Sequence, residues 1–191
     1  EVREYELPGL AAEAACLHIY PDQKADVYNR INEALISNQD NIQRDGLRAI
    51  SKIILDGNDA AASSVEPDPA SILSQYLTWC PTHSISSALW IIVRILKNSP
   101  TSFSHSLEAA AQRRLDRLLA DTAYDSDNPD LNFDEKLEVR RISSILAAAL
   151  WSYYNSRSLP VPEVVEKWRV ACLSPDEFSE IRNAWGDCER V

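Results

Sequence analysis

The sequence predicts an all-α protein of stacked antiparallel helix pairs, and three observations predict it. Apolar residues recur at helical spacing: Val27, Ile31, Ala34 and Leu35 fall at i, i+4, i+7 and i+8, and Ile142, Ile145, Leu146, Ala149 and Leu150 form a comparable face. Glycine is scarce, four in 191 residues, while the prolines sit between apolar segments, where they suit helix connections and first turns rather than strands. No run shows clean period-two alternation bounded by hairpin residues.

One stretch organises the rest. In residues 84–96, Ile85, Leu89, Ile92 and Leu96 share a helical stripe, and Trp90, Ile91, Val93 and Ile95 cover most of the remaining circumference. A helix apolar nearly all round must be covered on several sides by other elements. It carries Arg94 and is too short for a membrane span, which needs roughly 20 residues. It is expected to be a buried central helix.

The other elements follow in order. Residues 7–20 read as an alanine-rich helix, broken by Pro21, with Asp22 as the N-cap of a helix bearing Val27 to Leu35. After a polar turn at 38–41 comes a helix with Ile42, Leu47, Ile50, Ile53 and Ile54, stopped by Asp56-Gly57-Asn58. Residues 58–68 read as a linker. Asp68-Pro69 opens a helix carrying Ile72, Leu73, Tyr76, Leu77 and Trp79. Beyond the central helix, a Ser-rich entry opens a helix with Leu107, Ala111, Leu115, Leu118 and Leu119. Residues 125–132 form a polar loop, and Asn132 with Glu135 resembles a capping pair for a long helix to Tyr154. Val164, Val165, Trp168 and Cys172 mark the next helix. Ser174-Pro175-Asp176-Glu177 caps the last, with Phe178, Ile181 and Trp185 facing inward.

The helices group as pairs, 22–37 with 40–56, 69–80 with 83–97, 104–122 with 133–155, and 162–172 with 175–186. Such units overlap in length with the helical hairpins that stack into solenoids. At Asp40-Asn-Ile-Gln-Arg44-Asp-Gly-Leu47-Arg-Ala-Ile50, and again at Val139-Arg140-Arg-Ile142-Ser-Ser-Ile145-Leu146, the chain resembles the second helix of HEAT or armadillo-like repeats. The shared pattern is an acidic turn residue, Arg in the first turn, then alternating small and large apolar positions. The unit length is irregular, Gly46 stands where Ala is usual, and no proline opens these second helices. The resemblance implies an α-solenoid that binds a protein partner; the alternative architecture is a compact helical bundle.

The formal charge of −10 argues against general binding to a nucleic-acid backbone, which rests on Lys and Arg. Residues 1–191 read as a single all-helical domain and, without any Met, as a piece of a larger protein. The cysteines, Cys16, Cys80, Cys172 and Cys188, form no C-x-x-C pair and are expected as buried or half-buried free thiols in an intracellular, cytoplasmic or nuclear setting, with a disulfide as the alternative. No membrane association is expected.

No catalytic, cofactor-binding or metal-binding residue is expected. Asp125-x-Asp127 begins like a calcium loop, but Pro129, Asp130 and Lys136 stand where an EF-hand needs an Asp or Asn ligand, Gly and Glu. Cys80-Pro-Thr-His83 offers two zinc-type ligands where a structural site needs four, and His18 and His105 are isolated. Phosphate-cradling glycine motifs and a G-x-S-x-G elbow are absent from the sequence. The one positive concentration is Arg113, Arg114 and Arg117 with Arg140 and Arg141, a candidate partner-binding surface; its competing explanation is ion pairing with Asp116, Asp121, Glu135 and Glu138. The expected function is a non-enzymatic interaction or scaffold module that binds a protein partner or itself. The alternative is a helical enzyme or ligand-binding domain with a cavity under helix 84–97, lined by Trp79, Trp90 and Trp151.

Overall fold

In the computed structural model, residues 9–17, 19–37, 39–55, 69–80, 85–98, 100–123, 133–171 and 183–185 are described. They form α1 (Leu10–Ala15), α2 (Lys24–Leu35), α3 (Asp40–Leu55), α4 (Pro69–Trp79), α5 (Ile85–Asn98), α6 (His105–Ala123), α7 (Phe133–Asn155) and α8 (Glu163–Ala171), with 3-10 turns at Pro21–Gln23 and Pro100–Ser102. Among the described residues there is no strand, and no helix is long and apolar enough to cross a membrane. The linker 58–68, the loop 125–132, the Asn132–Glu135 pairing and the cap at 174–177 lie outside the described residues.

Packing is organised by alternation. Each helix rests on the helix two places along: α1 on α3, α3 on α5 and α5 on α7 in one layer, α2 on α4, α4 on α6 and α6 on α8 in the other. Sequential neighbours such as α2 with α3, α4 with α5 and α6 with α7 then meet across the two layers. This stacking places α5 between α3 and α7 with α4 behind it. Accordingly Ile85, Leu89, Ile92 and Ile95 are fully buried, and Ala88, Ile91, Val93 and Leu96 nearly so. Fully burying such a side chain stabilises the fold by about 1.5–3 kcal/mol, which outweighs any exposed ion pair.

Several local expectations change. Among the described residues the first helix ends at Ala15 rather than Tyr20, and Ile19 and Tyr20 beyond it are exposed; residues 7 and 8 lie outside the described residues. Asp22 lies inside a 3-10 turn instead of capping α2, whose N-cap residue Gln23 makes no side-chain cap bond. Trp79 is 47% exposed at the end of α4, edge-on to Tyr76, so it belongs to the surface rather than the core. Cys16 is exposed and Cys80 buried, both free thiols; Cys172 and Cys188 lie outside the described residues.

Polar groups inside the stack finish neighbouring helices. Leu10 N donates to Asp45 Oδ2 at 2.9 Å, so α3 supplies the cap that Gly9 cannot give α1. Buried Gln43 donates from Nε2 to Leu35 O at 3.0 Å and Ser37 O at 3.3 Å, closing the end of α2, and its Oε1 accepts from Tyr76 Oη on α4. Trp168 Nε1 donates to Leu115 O at 2.9 Å, joining α8 to α6. Tyr154 Oη donates to Glu108 and accepts from Gln112 Nε2 at 2.7 Å, tying α7 to α6.

The glycine at 46 has a steric reason. A Cβ there would lie 3.0 Å from Ala34 Cβ and 3.4 Å from Leu35 Cδ2, so its absence sets the approach of α3 to α2. Gly46→Ala gains up to about 1 kcal/mol of helix propensity. The Cβ–Cβ contact nevertheless forces two backbones apart, an overpacking cost of about 1–3 kcal/mol. The expected outcome is a lower thermal midpoint, and a raised one would show that the interface relaxes freely.

Burial, then the bond to Glu108, raises the Tyr154 phenol well above its ordinary 10.0. The folded state therefore holds this proton more tightly than the unfolded chain. The resulting stability is complete below about pH 10 and is lost as pH rises beyond it. Urea midpoints measured between about pH 8 and about pH 11 should fall more steeply for the parent chain than for Tyr154→Phe. Parallel curves would remove the phenol from the account.

Candidate functional site

The described residues place the five sequence-predicted arginines in different settings. Arg113 and Arg117 are exposed on α6, in the even-numbered layer. Arg114 departs from the expected surface: it is only 5% exposed and donates from Nη2 to Cys80 O at 2.9 Å, a C-terminal carbonyl of α4. Arg140 and Arg141 are half-buried on α7, in the odd-numbered layer. Arg141 forms two hydrogen bonds to Glu138, at 2.9 and 3.1 Å, and its guanidinium lies 5.7 Å from the Trp90 ring centre. The cluster is thus divided between a core tie, a local ion pair, two exposed positions on α6 and a half-buried one on α7.

A different cationic site emerges between α3 and α5. Arg44, Arg48 and Lys52 recur every fourth residue on α3, and Arg94 faces them from α5 across a groove of about 420 Å³. Leu47, Leu55 and Ile91 form its apolar floor, and Ser51 and Ser87 add hydroxyls. At 100° per residue, Arg44, Arg48 and Lys52 point away from Gln43 and Gly46, which meet α2 and α4. The groove therefore opens on the face of the odd-numbered layer turned from its partner layer. Among the described residues no carboxylate lines it, and Arg44, Arg48 and Arg94 have no ion-pair or hydrogen-bond partner.

A neighbouring groove differs in its charge. A second open groove, along α1, α2 and α3, carries Arg30, Glu33, Asp45 and Arg48 and is mixed in charge, with Arg30 held by Glu13 and Asp26. The α3–α5 groove alone of these two presents cations without acids among the described residues. An Arg fork binds carboxylate or phosphate oxygens in pairs, whereas Lys acts as a point charge. Chemically, the groove can hold an anionic group and desolvate apolar atoms attached to it.

Other candidates stay quiet. Burial pushes the Cys80 thiol up to about 11, so it remains protonated and is ill suited as a nucleophile or metal ligand. No group of His, Cys, Asp and Glu suited to a metal ion occurs among the described residues, and His83 and Asp125 to Asp130 lie outside them. Trp79, Trp90 and Trp151 occupy three separate settings: beside Tyr76, under Arg141, and beside Trp185 with Nε1 donating to Glu166. The α3–α5 groove escaped the sequence reading because Arg94 meets Arg48 only through packing. The spacing of Arg44, Arg48 and Lys52 was the visible half of the signal.

The contrast between the arginines is measurable. Arg114→Ala leaves a void and an unpaired buried carbonyl, and is expected to cost about 2–3 kcal/mol in chemical denaturation. Arg114→Met, which refills the volume and removes a buried charge, should stay within about 1 kcal/mol of the parent. Arg113→Ala and Arg117→Ala should change stability by less than about 0.5 kcal/mol. A large loss at Arg113 would place that residue in the core architecture instead.

No protein-family model, curated protein or solved structure matches this chain.

Proposed function

We propose that the chain is a non-enzymatic protein–protein interaction module, a helical-repeat segment of HEAT or armadillo type that receives a protein partner on its odd-numbered layer. The observation that carries this reading is the α3–α5 groove. An acidic chain gathers Arg44, Arg48, Lys52 and Arg94 there, with no carboxylate among the described residues that line it. Layered helix pairs bury their core between neighbours and leave such a face free along its length. A partner's negative groups complement Arg44, Arg48 and Arg94, which favours fast, specific encounter. A second copy of the chain is the less favoured occupant, because two copies each bearing −10 repel one another. The setting proposed is intracellular, cytoplasmic or nuclear, in keeping with the exposed free thiol of Cys16.

Lysine-directed cross-linking in cell extract tests this reading, because the lysines report on both layers. Lys52 lies in the groove and Lys97 near the end of α5, whereas Lys167 sits on α8 in the other layer. Cross-links to a partner are expected at Lys52 and Lys97, and are expected to fall at least about tenfold in Arg48→Glu/Arg94→Glu, the scale of losing a close charge pair. Cross-links concentrated at Lys167, or indifferent to the charge reversal, would overturn it. Light scattering on the isolated chain at two salt concentrations separates the occupants: a monomer fits a foreign partner, and a salt-sensitive dimer fits self-association.

A further inference from the structure

Arg94 is the last α5 residue to line the cationic groove. One turn further along α5, Leu96 and Lys97 enter a second groove of about 360 Å³ between α5 and α7. Its walls are apolar, chiefly Leu96, Ile145, Ala148, Ala149 and Tyr153, and cations alone stand among the charged residues lining it, Lys97 and Arg157. Arg157 is held in place with its guanidinium 4.0 Å from the Tyr153 ring centre. Thus α5 forms a ridge flanked by two grooves of different chemistry, one cationic over a narrow apolar floor, the other apolar with a cationic rim. Among the described residues neither is lined by a carboxylate.

We propose that these two grooves together read a two-part motif on an extended segment of the partner. One part is two or three acidic or phosphorylated residues at alternate positions; the other is a single large apolar side chain about three to five residues away. This rests on the interaction-module reading and gives its partner a chemistry. Along α3, cations four residues apart are separated by about 6 Å of helix rise. Alternate side chains of an extended peptide repeat at about 6.7 Å, so successive anionic groups keep step with Arg44, Arg48 and Lys52. Crossing the α5 ridge, about 10 Å wide, takes about three extended residues before a side chain can drop between α5 and α7.

A protein segment is favoured over a single-stranded nucleic acid on two grounds. No aromatic side chain lines the cationic groove, so a base finds no stacking surface there. The cationic track is also short on a chain of net charge −10, so a long uniform polyanion is repelled beyond it. The second groove, with Leu96, Ile145, Ala148 and Ala149 in its walls, suits a side chain such as Leu, Phe or Trp.

Selection of a displayed library of random twelve-residue peptides against the intact chain tests the motif. The enriched pool is expected to carry acidic residues at alternate positions with one large apolar residue at the stated spacing. Synthetic peptides from that pool, with and without phosphoserine at the acidic positions, show whether carboxylate or phosphate is preferred. Their binding, followed by fluorescence anisotropy, should weaken at least tenfold in Arg48→Glu/Arg94→Glu. It should also weaken in Ser152→Trp, which fills the second groove from its rim, and remain within twofold in Lys136→Glu/Lys167→Glu, which carries the same charge change outside both grooves. Thermal melting confirms that each variant is folded, and Ser152→Arg replaces Ser152→Trp where the latter is not.

The outcomes separate the two levels of the argument. An enriched pool without acidic bias, or acidic without the spaced apolar residue, overturns the motif while cross-linking at Lys52 and Lys97 still supports the module. A twelve-nucleotide oligothymidylate that binds more tightly than the peptides, and is lost in Arg48→Glu/Arg94→Glu, overturns it in favour of nucleic acid. Absence of any enriched peptide together with absence of cross-links on this face brings down both.

Discussion

The cover of α5 is the constraint on which the rest of the structure depends. Its sequence leaves only Ser87, Arg94 and the terminal Lys97 and Asn98 well exposed, so water can be admitted along one narrow strip. Every other side has to meet protein. A simple antiparallel hairpin with α4 covers one side and leaves two flanks of Ile and Leu bare. Placing α3 and α7 on those flanks closes both at once, and each then needs a neighbour of its own. Alternating layers are the outcome: once one central helix demands lateral cover, stacking every second helix is how a chain of short connections provides it.

Lateral stacking brings helix ends close to the middles of their neighbours, and this is where the buried polar groups are used. Helix termini leave four N–H and four C=O groups without intrahelical partners. Here side chains from other helices meet several of them: Asp45 accepts from the start of α1, Gln43 donates to the end of α2, and Arg114 donates to the carbonyl that follows α4. Buried serines take the simpler course, Ser74 and Ser143 donating to the carbonyls four residues back in their own helices. Caps supplied from a distance make each helix end a packing contact between elements, so helix length and layer geometry are set together. They also explain why a weak local cap such as Gly9 is tolerated.

Much of this was legible in the sequence, and what was not shares one cause. The apolar stripes of α2, α4, α5 and α7 were readable because burial of Val27, Leu73, Leu89 or Leu146 depends on their own helix period alone. Helix pairing followed from short polar breaks. Trp79, Arg114 and Asp22 were misread because their roles depend on which neighbour arrives: Trp79, the last residue of α4, stays half-exposed, Arg114 reaches the end of α4 from α6, and Asp22 enters a 3-10 turn. Glycine at 46 looked like a departure from a repeat pattern, and only the position of Ala34 explains it. Arg94, in turn, looked like an argument against a membrane helix. Its place opposite Arg48 required the stacking of α3 on α5.

The charge arrangement makes the α3–α5 groove more than a gap between helices. Elsewhere the chain places opposite charges three or four residues apart, as in Arg30 with Asp26, Arg141 with Glu138 and Lys167 with Glu163, each a small but favourable arrangement. On α3 Asp40 stands four residues before Arg44 and Asp45 three before Arg48, yet the residues four on from Arg44 and Arg48 are again cations, Arg48 and Lys52. Like charges at that spacing destabilise a helix by a few tenths of a kcal/mol, roughly what an opposite pair gains. Arg94 adds a fourth cation from α5, and α5 holds no Asp or Glu to offset it. In a chain with ten more acids than bases, such a grouping runs against the average composition. None of these four side chains fills the core. A negative group arriving from outside relieves that repulsion, and the floor of Leu47 and Ile91 beneath it gives the same visitor an apolar surface to cover.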